Sequence, residues 1–130
     1  MPQATNLIVK DAAGVDKTFT LLTPAAGYGS PAEWALKQGA TAAVWPTATL
    51  SAHKTGNRSR RVPVKVRIPA SYTSVTTGLP VVASSMEFNG SVSVPDDFPD
   101  DQKDNGVAYI AGVVNTALVM ACFRDGLPAT

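Results

Sequence analysis

Six of the chain's eleven basic residues, Lys54, Arg58, Arg60, Arg61, Lys65 and Arg67, fall within residues 54–67, and no acid lies between Glu33 and Glu87. Val62, Val64, Val66 and Ile68 alternate there with Arg61, Pro63, Lys65 and Arg67. Strict alternation marks a strand with one face buried and one wet, and the wet face is cationic. Ammonium and guanidinium groups on a sheet face are chemistry for holding phosphates. They point to a polyanion, nucleic acid above all, as partner.

The flanking segments repeat the alternation. Ala48, Leu50 and Ala52 share one parity, and Thr47, Thr49, Ser51 and His53 the other. Met86, Phe88, Val92 and Val94 oppose Ser85, Glu87, Asn89, Ser91 and Ser93. Short antiparallel connections therefore place the odd-numbered polar residues on one sheet face and the even-numbered apolar residues on the other. Hydroxyls and amides suit base edges and sugars, and cations suit phosphates.

Around these strands, Asn6–Lys10 and Thr18–Leu22 read as an N-terminal hairpin turning near Gly14. Ala32–Lys37 is short, lies between Gly29 and Gly39, and reads as a strand. A turn at Thr55–Asn57 leads into the basic strand, and 69–78 reads as a polar loop. Pro95 ends the last strand. The acidic run DDFPDD then sits where a helix N-terminus favours negative charge, with Pro99 suited to a first helical position. Val107, Ile110, Val114, Ala117, Leu118 and Ala121 mark a helical stripe, yet Tyr109, Val113, Val119, Met120 and Phe123 lie off it, so burial on more than one side is expected. Asn115-Thr116 breaks the segment into two helices, and Gly126 is the C-cap candidate. The fold class is α+β: an N-terminal hairpin, a five-stranded antiparallel sheet, and two C-terminal helices on one sheet face.

Composition bounds the rest. The 130 residues read as a single domain, 45% apolar and 16% charged with a net charge of +1. An average globular chain carries about 25% charged residues, so part of this surface is expected to be covered by other chains. A sheet of this size exposes more apolar area than one short helical segment covers. Burying about 500 Å² more contributes on the order of 12 kcal/mol before ordering costs, and a symmetric dimer whose helices cross the other chain's sheet supplies it. The single cysteine, Cys122, allows no intrachain disulfide. MPQATNLIVKD lacks the basic and apolar regions of a signal peptide. The longest apolar run, Ala117–Phe123, is far below the roughly 20 residues that span a bilayer. A soluble, intracellularly made protein is expected, with no membrane partner.

Taken in order, Ala32-Glu33-Trp34, the stretch Thr49–Pro69 ending in VKVRIP, Leu79-Pro80-Val81, the run Phe88-Asn89-Gly90-Ser91-Val92-Ser93-Val94-Pro95 and the tail Arg124-Asp125-Gly126-Leu127-Pro128 resemble the coat proteins of small single-stranded-RNA bacteriophages, the levivirus group. The match covers nearly the whole chain. The resemblance implies an interdigitated homodimer, a quasi-equivalent icosahedral shell, and a virion assembled in the cytoplasm of a bacterial host. It turns the polar sheet face inward to genomic RNA, and places the loop at about 70–80 near symmetry axes. It also implies hairpin binding that represses translation and marks the genome for packaging. Thr49 and Ser51 fall where small hydroxyl residues line a pocket for an unpaired base, Lys65 where a lysine contacts that base or its phosphate, and Asn89 where an asparagine contacts RNA backbone. The RNA-binding set expected on this face is Thr47, Thr49, Ser51, His53, Arg61, Lys65, Arg67, Asn89 and Ser91. Three positions depart from the pattern. Glu87 stands where the best-known relative has a base-stacking tyrosine, Pro63 replaces a hydroxyl residue, and His53 replaces an arginine.

Other chemistry is thinly represented. The basic stretch could serve only as a solvated edge that resists aggregation. His53 has no Cys or His neighbours in sequence, so no metal or other cofactor is expected. Cys122 lies in an apolar helix, where a thiol stays protonated and inert. The carboxylates of DDFPDD lack calcium-loop spacing. Neither a phosphate-binding glycine loop nor a nucleophile elbow occurs, and an enzyme or small-molecule substrate is not expected. The rival reading is a small dimeric cellular RNA-binding regulator.

Overall fold

The computed structural model describes residues 3–38, 41–56 and 58–130. Gly39 and Asn57, which entered the expected strand boundary and turn, lie outside them. The hairpin pairs β1 (Leu7–Lys10) with β2 (Asp16–Thr23). Asp11 closes it by accepting the N–H groups of Ala13 and Val15 at 2.9 Å each, and Gly14 adopts φ 81°, which only glycine enters without strain.

The remaining strands are β3 (Ala32–Ala35), β4 (Thr47–Leu50), β5 (His53–Thr55), β6 (Ser59–Thr73) and β7 (Pro80–Pro95). The hairpin is not separate from the five-stranded sheet. β2 continues past β1 to pair with β3 through Thr20, Leu21 and Thr23. One path runs β1-β2-β3-β4-β6-β5, and β7 pairs with β6. Every pairing is antiparallel.

β6 is the spine. One of its sides meets β4 and β5, whose registers continue one another: Leu50 lies opposite Val64 and His53 opposite Arg61. Within an antiparallel strand, a residue's N–H and C=O point to the same side. The Pro63 carbonyl accepts from Ser51 N at 3.2 Å, so the N–H that proline lacks would also have faced Ser51. That is where β4 stops and β5 has not begun.

The expected polar loop at 69–78 is shorter. Strand structure runs on to Thr73 and resumes at Pro80, leaving 74–79 as the connection. Pro69 shares Pro63's parity, so its nitrogen faces the side where β4 has already ended, opposite Arg67. The ladder to β7 loses nothing there, and Tyr72 and Thr73 are good strand formers.

A small core gathers at β3. Ala32, Trp34 and Ala35 are buried, with Val44 from a 3₁₀ turn at Ala42–Val44. The Trp34 indole N–H donates to the Thr5 carbonyl at 2.7 Å. Beyond β3 the even face of the sheet is half-buried at Val62, Val64, Val66 and Val92 and more open at Ile68, Met86 and Phe88, which are 45%, 61% and 39% exposed.

The chain divides after Pro95 into a sheet unit and a helical unit. The latter comprises α1 (Asp100–Val114) and α2 (Ala117–Asp125). Pro99, expected at the first helical position, is instead the N-cap, and the helix starts one place later with Asp100 and Asp101 in its first turn. The break falls at Asn115-Thr116 as the residue types indicate. Thr116 Oγ1 donates to the Val113 carbonyl at 2.9 Å, and the two axes meet at 49°. Gly126 caps α2 at φ 68°. The expected burial of the apolar helices does not occur within the single chain. Neither helix has a buried residue, and Leu118 is 63% exposed. No single helix is long and apolar enough to cross a membrane.

Candidate nucleic-acid interface

Register turns the odd-numbered residues of four strands into rows across one face. Thr49, Lys65 and Asn89 form one row, and Thr47, Arg67 and Glu87 the next. Toward the β5 end, Pro63 lies opposite Ser91 and takes the Ser51 amide on its other side. Last come His53, Arg61 and Ser93. All nine residues expected to contact RNA therefore share the polar face.

Six of the nine meet around one depression. Thr49, Ser51, Arg61, Lys65, Asn89 and Ser91 line an open hollow of about 350 Å³, together with Pro63, Val64 and Gly90. Thr47, His53 and Arg67 do not line it. The Pro63 ring is compact, so the middle of the face is low while its neighbours stand up. That Gly90 reaches the hollow is invisible in the sequence until register places it opposite Val64.

The polar groups are partly tied to one another. Arg61 Nε donates to Ser91 Oγ at 3.0 Å, which fixes the guanidinium plane and leaves its charge unneutralised. Ser51 Oγ and His53 Nε2 lie 3.3 Å apart. Arg67 Nε is 3.9 Å from Glu87 Oε1. Glu33 joins the face through its place opposite Thr49, a neighbour the sequence reading missed because it depends on how distant segments align.

Not all the basic residues of 54–67 share this face. Lys54 lies opposite Arg60, and both have even parity. The Lys54 ammonium sits 5.4 Å from the Tyr28 ring centre. The cationic character of the odd face thus comes from Arg61, Lys65 and Arg67, tempered by Glu87 and Glu33. Trp45, a base-stacking candidate by type, is half-buried with Lys37 Nζ 6.0 Å from its ring centre. Cys122 is half-buried in α2. Among the described residues, no group of three or more His, Cys, Asp or Glu is placed to hold a metal ion.

No protein-family model and no curated protein matches the chain. Solved structures do. The subunit of a virus-like particle of bacteriophage NT-214 is 26% identical, with a TM-score of 0.83 over 99% of this chain and 100% of that one. The subunit of a virus-like particle of Beihai levi-like virus 21 is 13% identical, with a TM-score of 0.84 over 99% of both chains. An unassembled bacteriophage coat-protein dimer, described as RNA-binding, is 16% identical with a TM-score of 0.72 over 97% of both. From hairpin to last helix, this chain has the coat-protein fold of the single-stranded-RNA phages.

Proposed function

We propose that the chain is a capsid protein whose homodimers assemble into a shell around single-stranded RNA, with the odd face of the sheet turned to the RNA. The observation that carries this is the distribution of burial. Among the described residues, the buried hydrophobic side chains are Ala32, Trp34, Ala35 and Val44. Ile68 and Met86 on the even face, and Val107, Ile110, Val113 and Leu118 on the helices, keep about half or more of their surface open to solvent. Each 1,000 Å² of apolar area covered contributes roughly 25 kcal/mol before ordering and association costs. A second copy offers both missing surfaces at once, helices for sheet and sheet for helices, which is the isologous arrangement of a two-fold dimer. β7 adds a third reason: among the described residues it pairs with β6 alone, so a long outer edge of backbone donors and acceptors awaits a strand.

On this reading the 130 residues act as one coat-protein domain, completed by its twin. The nine odd-face residues contact RNA, and the hollow bounded by Thr49, Ser51, Lys65 and Asn89 takes a base or its phosphate. The role is assembly and packaging rather than catalysis, which agrees with the capsid proteins that share the fold.

Expression of the chain alone in bacteria tests the proposal. Spherical shells carrying nuclease-protected RNA are expected in electron micrographs and nuclease digests. A dimer that stays unassembled at millimolar concentration and moderate salt would overturn the capsid role in favour of a cellular RNA-binding regulator.

A further inference from the structure

Glu87 is out of keeping with the face it stands on. It occupies the β7 position opposite Arg67, its carboxylate 3.9 Å from the Arg67 guanidinium. Both side chains stay open to water, 39% and 42% exposed. An exposed pair at that separation is loosely held, so the guanidinium is occupied without being locked. A phosphodiester offers a guanidinium the same charge and paired oxygens that a carboxylate does.

The other arginine of the face is treated differently. Arg61 is held through Nε by the Ser91 hydroxyl at 3.0 Å, a neutral acceptor that orients the cation and leaves its charge available. Lys65 stands between the two arginines, opposite Asn89. The face is therefore graded along β6, with exposed positive charge at the Arg61 end and masked charge at the Arg67 end.

We infer that Glu87 is an intramolecular competitor for RNA phosphate at Arg67, a specificity-determining residue that closes one end of the phosphate track. The inference rests on the RNA-facing reading of the odd face. An RNA strand engages Arg61 and Lys65 directly, and reaches Arg67 only by displacing the carboxylate. A strand whose shape presses a phosphate onto Arg67 compensates for that displacement, and an arbitrary strand does not. The carboxylate thereby lowers affinity for RNA in general and leaves a margin for RNA of fitting shape.

The test uses full-length dimers of wild type, Glu87→Gln, Arg67→Ala and the double variant, with a labelled unstructured ten-nucleotide RNA followed by fluorescence anisotropy between 50 and 200 mM salt. Thermal melts establish that each variant is folded. Glu87→Gln is expected to tighten binding roughly five- to tenfold at 50 mM, about one charge-assisted contact. It should also steepen the log–log salt slope by about 0.7, one phosphate gained on a single strand. In the Arg67→Ala background, most of that gain should vanish, because no guanidinium is left to release. An equal gain in both backgrounds, or none in wild type, overturns the inference while leaving RNA binding intact. A folded wild-type dimer that binds no RNA at 50 mM salt overturns the RNA-facing reading itself, and this inference with it.

Discussion

Gly90→Ala separates the covered face of the sheet from its wet face with a single methyl group. The Phe88 ring lies over Gly90, and a Cβ added there would sit 2.9 Å from Phe88 Cζ and 3.0 Å from Cε1. Ordinary carbon contacts lie at about 3.5–4.0 Å, so the ring must move. The Gly90 backbone does not obstruct the change, because its φ lies outside the positive region that only glycine tolerates. In an isolated chain Phe88 is 39% exposed, so the ring has room to shift. The loss of unfolded-state freedom then returns about 0.4–1 kcal/mol. In a dimer whose even face is covered, the ring has nowhere to go, and overpacking costs about 1–3 kcal/mol.

The dimer should therefore weaken by about 1–2 kcal/mol, roughly a five- to thirtyfold rise in dissociation constant. Sedimentation across a dilution series reads this directly. Phe88→Ala supplies the control, since without the ring the added methyl meets no atom of the chain beyond its sequence neighbours closer than 3.9 Å and should cost nothing. The coupling between the two substitutions then measures the clash alone. A Gly90→Ala dimer as tight as wild type, or a cost that persists without Phe88, refutes the placement of the even face in the dimer interface.

Three further outcomes follow from the same geometry. Lys65→Ala should leave dimers and melting temperature unchanged while flattening the RNA salt slope by about 0.7, read by anisotropy; an unchanged slope means Lys65 does not face RNA. Leu118→Asp, harmless on a surface, should abolish dimers at micromolar concentration in gel filtration, because a carboxylate in an apolar interface carries a penalty of several kcal/mol. Asp100 is held below the ordinary carboxylate range by the hydrogen bond and then the charge of Lys103, whose ammonium lies 2.8 Å away. A depressed folded pKa gives stability that is present above the unfolded value and lost as pH falls through the folded one. Lys103→Ala should therefore move the Asp100 titration upward in an NMR pH series.

Much of this was legible in the chain because the strand period of two is rigid. Once Val64, Val66 and Phe88 are assigned to one face, Lys65, Arg67 and Asn89 have no choice but the other. Asn115-Thr116 and Gly126 were equally readable, since a helix break and a left-handed cap are local chemistry. What stayed hidden depends on which segment lies beside which. Strand pairing brings Glu33 next to Thr49, sets Glu87 against Arg67, and brings Gly90 to the hollow. None of these follows from alternation within one segment. The loop at 69–78 was drawn too long for a related reason: Pro69 reads as a strand breaker until β4 is known to have ended beside it. The apolar circumference of the helices was legible too, and its cover was expected from a second chain; within one chain neither helix has a buried residue.

Two prolines in the central strand would ordinarily count against its being central, yet here they fit its two-sided role. Both occupy odd positions, so both missing donors fall on the β4 and β5 side, at the gap before β5 and past the end of β4. The ladder from β6 to β7 stays unbroken from Ser59 to Ala70, where the first irregularity occurs. That long two-stranded ribbon carries both faces outward from the small core around β3. Its even side is apolar, and its odd side is polar with Arg61, Lys65 and Arg67. A single layer of sheet cannot cover both sides from within, so on the proposed reading the alternation that builds the strands also presents two surfaces to two partners, a second protein chain and a nucleic acid, on opposite sides of one sheet.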